Sequence, residues 1–366
     1  ALHNPFVYDD RRMIVENLAI RSLANLRAIV WHDVSRPLVN VTYAVDYAVW
    51  GASPFGFHLT NVLLHMLNVL LLFRLAGQLA AEQNERGGRS LASGARPEVA
   101  AIAASGLLAV HPLMTQAVGY VSGRPEVLCG TMFLLAFLSA RRWMSRGGAV
   151  WWVGAAGSWV LAMAAKEIAI VFPIVLLAYD ALALDGDGRR RRVLRLHLPL
   201  VAMAALAGAV RLAVLTILEH PGESSVNWTY GLVELDVIER YFLLFLFPHG
   251  QSIFYSIAPI ASVFQARALV AVAAFVAALA LAWKARSADP LVPFGAAWYL
   301  LLLMPSAALV MLDRGEPMAE QRVYVASIGV FLVAGTGAAR LWAFLPRARF
   351  VARTVIKTAL VLFLVL

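Results

Sequence analysis

The strongest constraint on this chain is a series of apolar windows, each near the length of one membrane crossing, divided by short polar loops. A helix rises about 1.5 Å per residue, so roughly 20 apolar residues cross a hydrocarbon core about 30 Å thick. Ten windows are candidates: 56–80, 98–117, 124–141, 149–165, 167–183, 196–218, 266–283, 291–312, 323–345 and 354–366, the last cut short. Backbone in lipid must satisfy its own hydrogen bonds, so such windows form helices. The expected fold is an all-α polytopic membrane protein. Tyr241 to Pro248 is apolar but too short to span, and reads as the end of a re-entrant or interfacial helix. A soluble domain is excluded: 61% of the 366 residues are hydrophobic and 14% are charged, where soluble domains hold an apolar share of roughly 45–50%.

Charge placement gives orientation. Arg86, Arg89 and Arg96 mark one loop, and Arg141, Arg142 and Arg146 the next but one. Arg189 to Arg192 with Arg195, then Lys284 with Arg286, then Arg347, Arg349 and Arg353 continue the series. These loops alternate only if 241–248 does not cross, and the positive-inside rule then puts all of them in the cytoplasm. The net charge of +9 therefore suits lipid headgroups and topology, and no nucleic-acid partner is expected. The single cysteine, Cys129, lies in an apolar span, so no internal disulfide can form. The chain starts without Met and ends inside an apolar run, which reads as a fragment lacking an N-terminal span and whatever follows.

The opposite face receives the chemically richer loops. The first, 1–55, holds Asp9 and Asp10, candidates for a general base; Asp at a helix N-terminus is also favourable electrostatically, which is the plainer reading of the pair. Behind them Ile14, Leu18, Ile20, Leu23, Leu26, Ile29 and Val30 recur at near-helical spacing. That pattern predicts one helix over 11–30, lying at the interface or packed on the bundle. His111-Pro112 ends a helix, and Lys166-Glu167 forms an opposite-charge turn. Glu239, Arg240 and Tyr241 lie in a later loop, and Glu320, Arg322 and Tyr324 in the last. His58 and His65, seven apart, share a helix face, where hydrogen bonding between helices is favoured over metal binding, which usually needs three or four ligands.

Taken in order, these residues resemble a known family. Asp9-Asp10, Asn17, Arg36-Pro37-Leu38, His58 to Asn61, His65, His111-Pro112, Gly123-Arg124, Lys166-Glu167 and Glu320-Gln321-Arg322-Val323-Tyr324 follow the pattern of the tetratricopeptide-repeat transmembrane O-mannosyltransferases and their bacterial relatives in the GT-C superfamily. The match runs through nearly the whole chain. Two departures are visible: Met114 and Gln116 stand where the family often has His and Glu, and Gln321 separates the late Glu from its Arg.

The resemblance implies a GT-C-like bundle, with the Asp pair on an outer-face loop between the first two spans. It implies transfer of a sugar, mannose, from a polyprenyl-phosphate donor to an acceptor hydroxyl, a protein Ser/Thr or a glycan, outside the cytoplasm. A bacterial inner membrane with a periplasmic site follows from the Ala- and Arg-rich composition. Asp10 or Asp9 is then the base. Arg322, Arg240, Arg124, Lys166, Glu167, Arg211, His111, Glu320, Tyr324 and His58 are the expected donor-binding residues, since cations at headgroup depth stabilise a leaving phosphate. No cofactor is expected, a divalent metal being disfavoured because a monophosphate needs little charge neutralisation. Rival readings are a transporter or flippase of lipid-linked sugars, a glycan ligase, and a non-catalytic scaffold. Transport is disfavoured because Arg74, Asp180 and Arg211, the charges inside spans, sit toward span ends rather than at midplane.

Overall fold

The structure, a computed structural model, describes residues 2–86, 96–184, 186–213, 229–255, 257, 264–311 and 318–344. Its helices are, in order, α1 Leu26–His32, α2 Pro37–Trp50, α3 Pro54–Arg86, α4 Pro97–Val110, α5 Thr115–Gly119, α6 Arg124–Arg146, α7 Ala149–Ala165, α8 Phe172–Ala183, α9 Arg189–Arg192, α10 Leu198–Ala213, α11 Thr229–Leu246, α12 Ala266–Ala285, α13 Leu291–Met311 and α14 Tyr324–Phe344. Among the described residues there is no strand, and the chain is an all-α polytopic membrane protein. Helices α3, α6, α9 continuing through a π-turn into α10, α12 and α14 are long and apolar enough to cross a membrane. Helices α4 and α5 form an apolar pair broken at His111, where the axis bends by 55°. Helix α7 and the apolar part of α13 are shorter apolar helices, and the window 354–366 lies outside the described residues.

Packing follows side-chain size. Helix α14 lies against α4 and α13, α3 against α4, and α6 against α7. Gly295 on α13 and Gly329 on α14 face one another so closely that a Cβ on Gly295 would stand 2.6 Å from the Gly329 carbonyl oxygen. Small residues that let backbones approach are how helices associate where lipid removes the hydrophobic drive. Phe133, Phe137, Phe172, Tyr179, Phe294 and Trp298 fill the space between α6, α8 and α13 with edge-to-face contacts. Trp31 and Trp50, by contrast, stay exposed at the bundle's end.

The region before α3 departs from the single helix predicted over 11–30. It folds as a π-turn at Arg11–Val15, a 3-10 turn at Ala19–Arg21 and then α1. Only Ile14, Ile20 and Ile29 of the apolar series are buried, while Leu18 is 73% exposed. The physical reason is local: Asn17 turns its side chain onto its own backbone, donating to the Met13 carbonyl at 3.1 Å and accepting from the Ala19 N–H at 3.0 Å. Such bonds compete with helix continuation. Helix α2, which hydropathy does not flag, starts with Pro37 in its first turn, a position where a missing N–H costs nothing.

Both ends of the bundle are defined by contacts. One end gathers residues 2–53, the turn 111–123, Lys166-Glu167 and 318–323; the other, arginine-rich end holds, among the described residues, Arg141 with Gln78 and Arg195 with Trp152. Helix α11 ends close to the first set: Tyr241 donates from its hydroxyl to the Ala319 carbonyl at 2.7 Å.

Candidate functional site

A buried arginine builds the frame. Arg124 opens α6 and has no accessible surface. Its Nε donates to Asn61 Oδ1 at 2.8 Å, its Nη2 to the Phe57 carbonyl at 2.7 Å, and its Nη1 pairs with Asp46 Oδ2 at 2.5 Å. The guanidinium also lies 4.5 Å from the Tyr43 ring centroid. Asn61 in turn donates to the Tyr120 carbonyl at 3.0 Å, and Tyr43 to the Val121 carbonyl at 3.1 Å. Thus α2, α3 and the turn 118–123 are stitched together through one cation. Arg124, expected to meet the donor phosphate, is a clamp with no surface to offer it. Gly123 is required beside it, because a Cβ there would stand 2.5 Å from the Ala117 carbonyl.

That frame presents the Asp pair. Tyr8, just before it, has φ +47°, the one left-handed non-glycine among the described residues. Such a conformation costs on the order of 1–2 kcal/mol for an ordinary residue. Asp10 is fully buried: Oδ1 accepts from the Ser122 N–H at 2.8 Å and the Ser122 hydroxyl at 2.6 Å, and Oδ2 from the Val7 N–H at 3.1 Å. Asp9 is exposed, with its N–H bonded to the Tyr120 hydroxyl at 3.0 Å. Burial and then the nearby Asp9 and Asp10 carboxylates push the Tyr120 phenol above its ordinary range, so it stays protonated beside them. Only one acid of the pair therefore faces outward.

A second group of charges lies at the same end. Lys166 is buried and paired with Glu126 rather than with its neighbour Glu167. Glu167 instead faces Arg36 at 3.6 Å, and the charge of Arg211 also reaches it. Arg36 and Arg322 both bear electrostatically on Lys166, and Arg322 does so on Glu234 and Tyr241. Helix α5 links this group to the Asp pair. Its C-cap, Tyr120, holds Asp9, and Gln116 in its first turn accepts from the Gln321 N–H at 3.0 Å. Gln116 thus contributes its amide oxygen to this link.

The other expected residues are placed as follows. Glu320 is buried and pins the segment after α11, accepting from the Ser252 N–H at 2.9 Å, from Gln251 at 2.8 Å and from the Tyr255 hydroxyl. Tyr324 is inside the bundle, bonded to His65 at 2.7 Å and Asn68 at 3.0 Å. His58 meets the Asn4 carbonyl at 3.2 Å. The histidines therefore join chain segments by hydrogen bonds. At the α4–α5 break, His111 Nδ1 accepts from the Leu113 N–H, so Nε2 carries the proton it donates to the Phe245 carbonyl, each at 3.2 Å. Arg240 lies apart from the group, sharing Asp236 with Arg267.

Glu234 is the residue that sequence reading missed. It sits on α11, 8% exposed, and its Oε1 has no hydrogen-bond partner. Burial pushes its carboxyl up to about 7, with Arg322 pulling the other way. A lone acid flanked by Val233 and Leu235 was the available signal. Asp46, the partner of Arg124, was also missed.

The chain is similar to protein O-mannosyl-transferase Tmtc2 of Drosophila melanogaster, at 31% identity over 55% of this chain and 22% of that protein. It is 35% identical to Drosophila Tmtc1 over 39% of this chain and 16% of the relative. It is 34% identical to human protein O-mannosyl-transferase TMTC1 over 40% of this chain and 17% of the relative. The chain thus spans about a fifth of the length of these curated relatives or less. No protein-family model matches it, and no solved structure does. The resemblance read from the motifs is borne out by these relatives, which are named as glycosyltransferases.

Proposed function

We propose that this integral membrane protein transfers a sugar, mannose, from a polyprenyl-phosphate donor to a protein Ser/Thr hydroxyl at the Asp-pair end of the bundle. The observation that carries the reading is the link made by α5. One five-residue helix ties the exposed Asp9 to the segment holding Arg322, so a base and a cationic group share one surface. Displacement at a sugar carbon needs such a pair. The acceptor oxygen bonds to the sugar C1 as its proton passes to Asp9. The C1–O bond to phosphate breaks, and its electrons leave on the polyprenyl phosphate. Arg322 and Arg211 supply the positive field in which that charge develops. Asp10 holds the loop and not the proton, since its oxygens are already accepting three bonds.

The chemistry as written uses no metal. The face is extracytoplasmic by the arginine distribution, and the Ala- and Arg-rich composition suits a bacterial inner membrane. The relatives' names support mannose and a protein acceptor. The test is transfer of radiolabelled mannose from polyprenyl-phosphate mannose to Ser/Thr peptides by the purified chain in lipid nanodiscs, with and without EDTA. Labelled peptide at equal rates in both arms is expected. Donor binding without transfer to any peptide or to water would make the protein a carrier and overturn the reading.

A further inference from the structure

Eight buried side-chain polar atoms lack a hydrogen-bond partner among the described residues, and four of them fall in the charged group around Lys166: Arg36 Nε, Glu126 Oε2, Glu234 Oε1 and Gln321 Oε1. They come from four separated parts of the chain: the segment before α2, the first turn of α6, α11, and the turn before α14. Their neighbourhood is shared. Glu126 pairs with Lys166, Arg36 faces Glu167, Gln321 adjoins Arg322, and the Arg322 charge reaches both Lys166 and Glu234.

A buried polar atom left unpaired costs folding free energy, so native proteins satisfy nearly all of them. Several of them around one charged group point to a ligand as the missing partner. Three of the four are acceptors. A phosphate brings only acceptor oxygens and would meet the cations; it cannot satisfy Glu126, Glu234 or Gln321. Sugar hydroxyls are donors and can.

We propose that Glu234, with Glu126 Oε2 and Gln321 Oε1, forms a sugar-reading wall that accepts hydrogen bonds from the hydroxyls of the donor's hexosyl group. This rests on the transferase reading and assigns residues within it. Glu234 is the main contact, since Glu126 is already held through its other oxygen by Lys166, and a buried acceptor discriminates strongly against a ligand lacking the matching donor.

The test uses the full chain in nanodiscs and two probes, polyprenyl-phosphate mannose and bare polyprenyl phosphate. Wild type should bind the sugar-bearing lipid more tightly. Glu234→Met, close in volume but without acceptors, should lose about 10-fold in affinity for polyprenyl-phosphate mannose, one strong hydrogen bond's worth, and leave bare polyprenyl phosphate unchanged. Glu234→Gln, which keeps one acceptor, should fall between. Equal loss for both lipids, or no loss for either, overturns the assignment of Glu234 alone. Absence of binding to either lipid by wild type overturns the transferase reading with it.

Discussion

The arginine-rich end of the bundle meets its buried arginines and aspartates with several partners each, and His197 Nδ1 is its one orphaned side-chain atom among the described residues. Arg141 gives Nε to Tyr179 at 3.0 Å, Nη1 to Gln78 at 2.7 Å and Nη2 to Glu82. Asp289 accepts from Gln83 at 2.7 Å, the Leu291 N–H at 2.8 Å and Arg340 at 2.9 Å. Asp180 accepts from Arg192 on both oxygens and from His197 at 2.8 Å. The Asp-pair end, about 22 Å away along α6 by the helical rise between Glu126 and Arg141, holds charges of the same kinds but leaves them incompletely met. Glu126, Glu234, Gln321 and Arg36 each keep an orphaned atom, and Arg36 and Glu167 stand 3.6 Å apart. The difference teaches where function lies. A network selected for stability saturates its groups, whereas a site keeps capacity for a ligand.

The largest expected effect breaks the frame itself. Arg124→Ala strands Asp46 and Asn61 in the interior, and removing one partner of a buried pair costs about 3–5 kcal/mol. Thermal unfolding in detergent should show little folded protein. Lys166→Met strands Glu126 in the same way and should likewise cost about 3–5 kcal/mol, read by thermal unfolding in detergent. At the arginine-rich end, Arg141→Ala should destabilise by about 2 kcal/mol, less because Glu82 is part-exposed; the folded fraction should transfer sugar at the wild-type rate.

Smaller effects sharpen the contrast. The Glu234 carboxyl is raised from its ordinary value to about 7, so the folded state binds its proton more tightly than the unfolded state. Its contribution is complete below the unfolded value and is lost as pH rises toward 7. Unfolding temperature should therefore fall over that window, and Glu234→Met should flatten the fall. Arg240→Ala should have a small effect, about 1 kcal/mol or less in stability, because the buried Asp236 keeps Arg267, and no effect on donor affinity.

The all-α membrane class was legible because apolar window length is dictated by the bilayer, and α6, α7, α12 and α14 follow their windows closely, but of the ten windows only five hold, among the described residues, a single helix long and apolar enough to cross. The segment 11–30 was not, because periodicity carries no information on Asn17 capturing its own backbone. The order of the motif residues was legible, but their division of labour was hidden. Arg124, Tyr324, His58 and His111 have the residue types of a phosphate or sugar site and are spent on holding segments together. Burial decides that, and burial of a single arginine depends on Asp46 and Asn61 arriving from α2 and α3. Glu234 escaped notice for the converse reason: its chemistry comes from what fails to reach it.

The most direct measurement is single-turnover transfer from polyprenyl-phosphate mannose to a Ser/Thr peptide by wild type, Asp9→Asn and Asp10→Asn, with donor affinity and unfolding temperature read on the same samples. Loss of a general base should slow Asp9→Asn by on the order of 10²–10⁴-fold with donor affinity and stability held. Asp10→Asn should lower the unfolding temperature, because Ser122 and the Val7 N–H lose a charged acceptor. Transfer by Asp9→Asn at the wild-type rate would contradict the account at its centre.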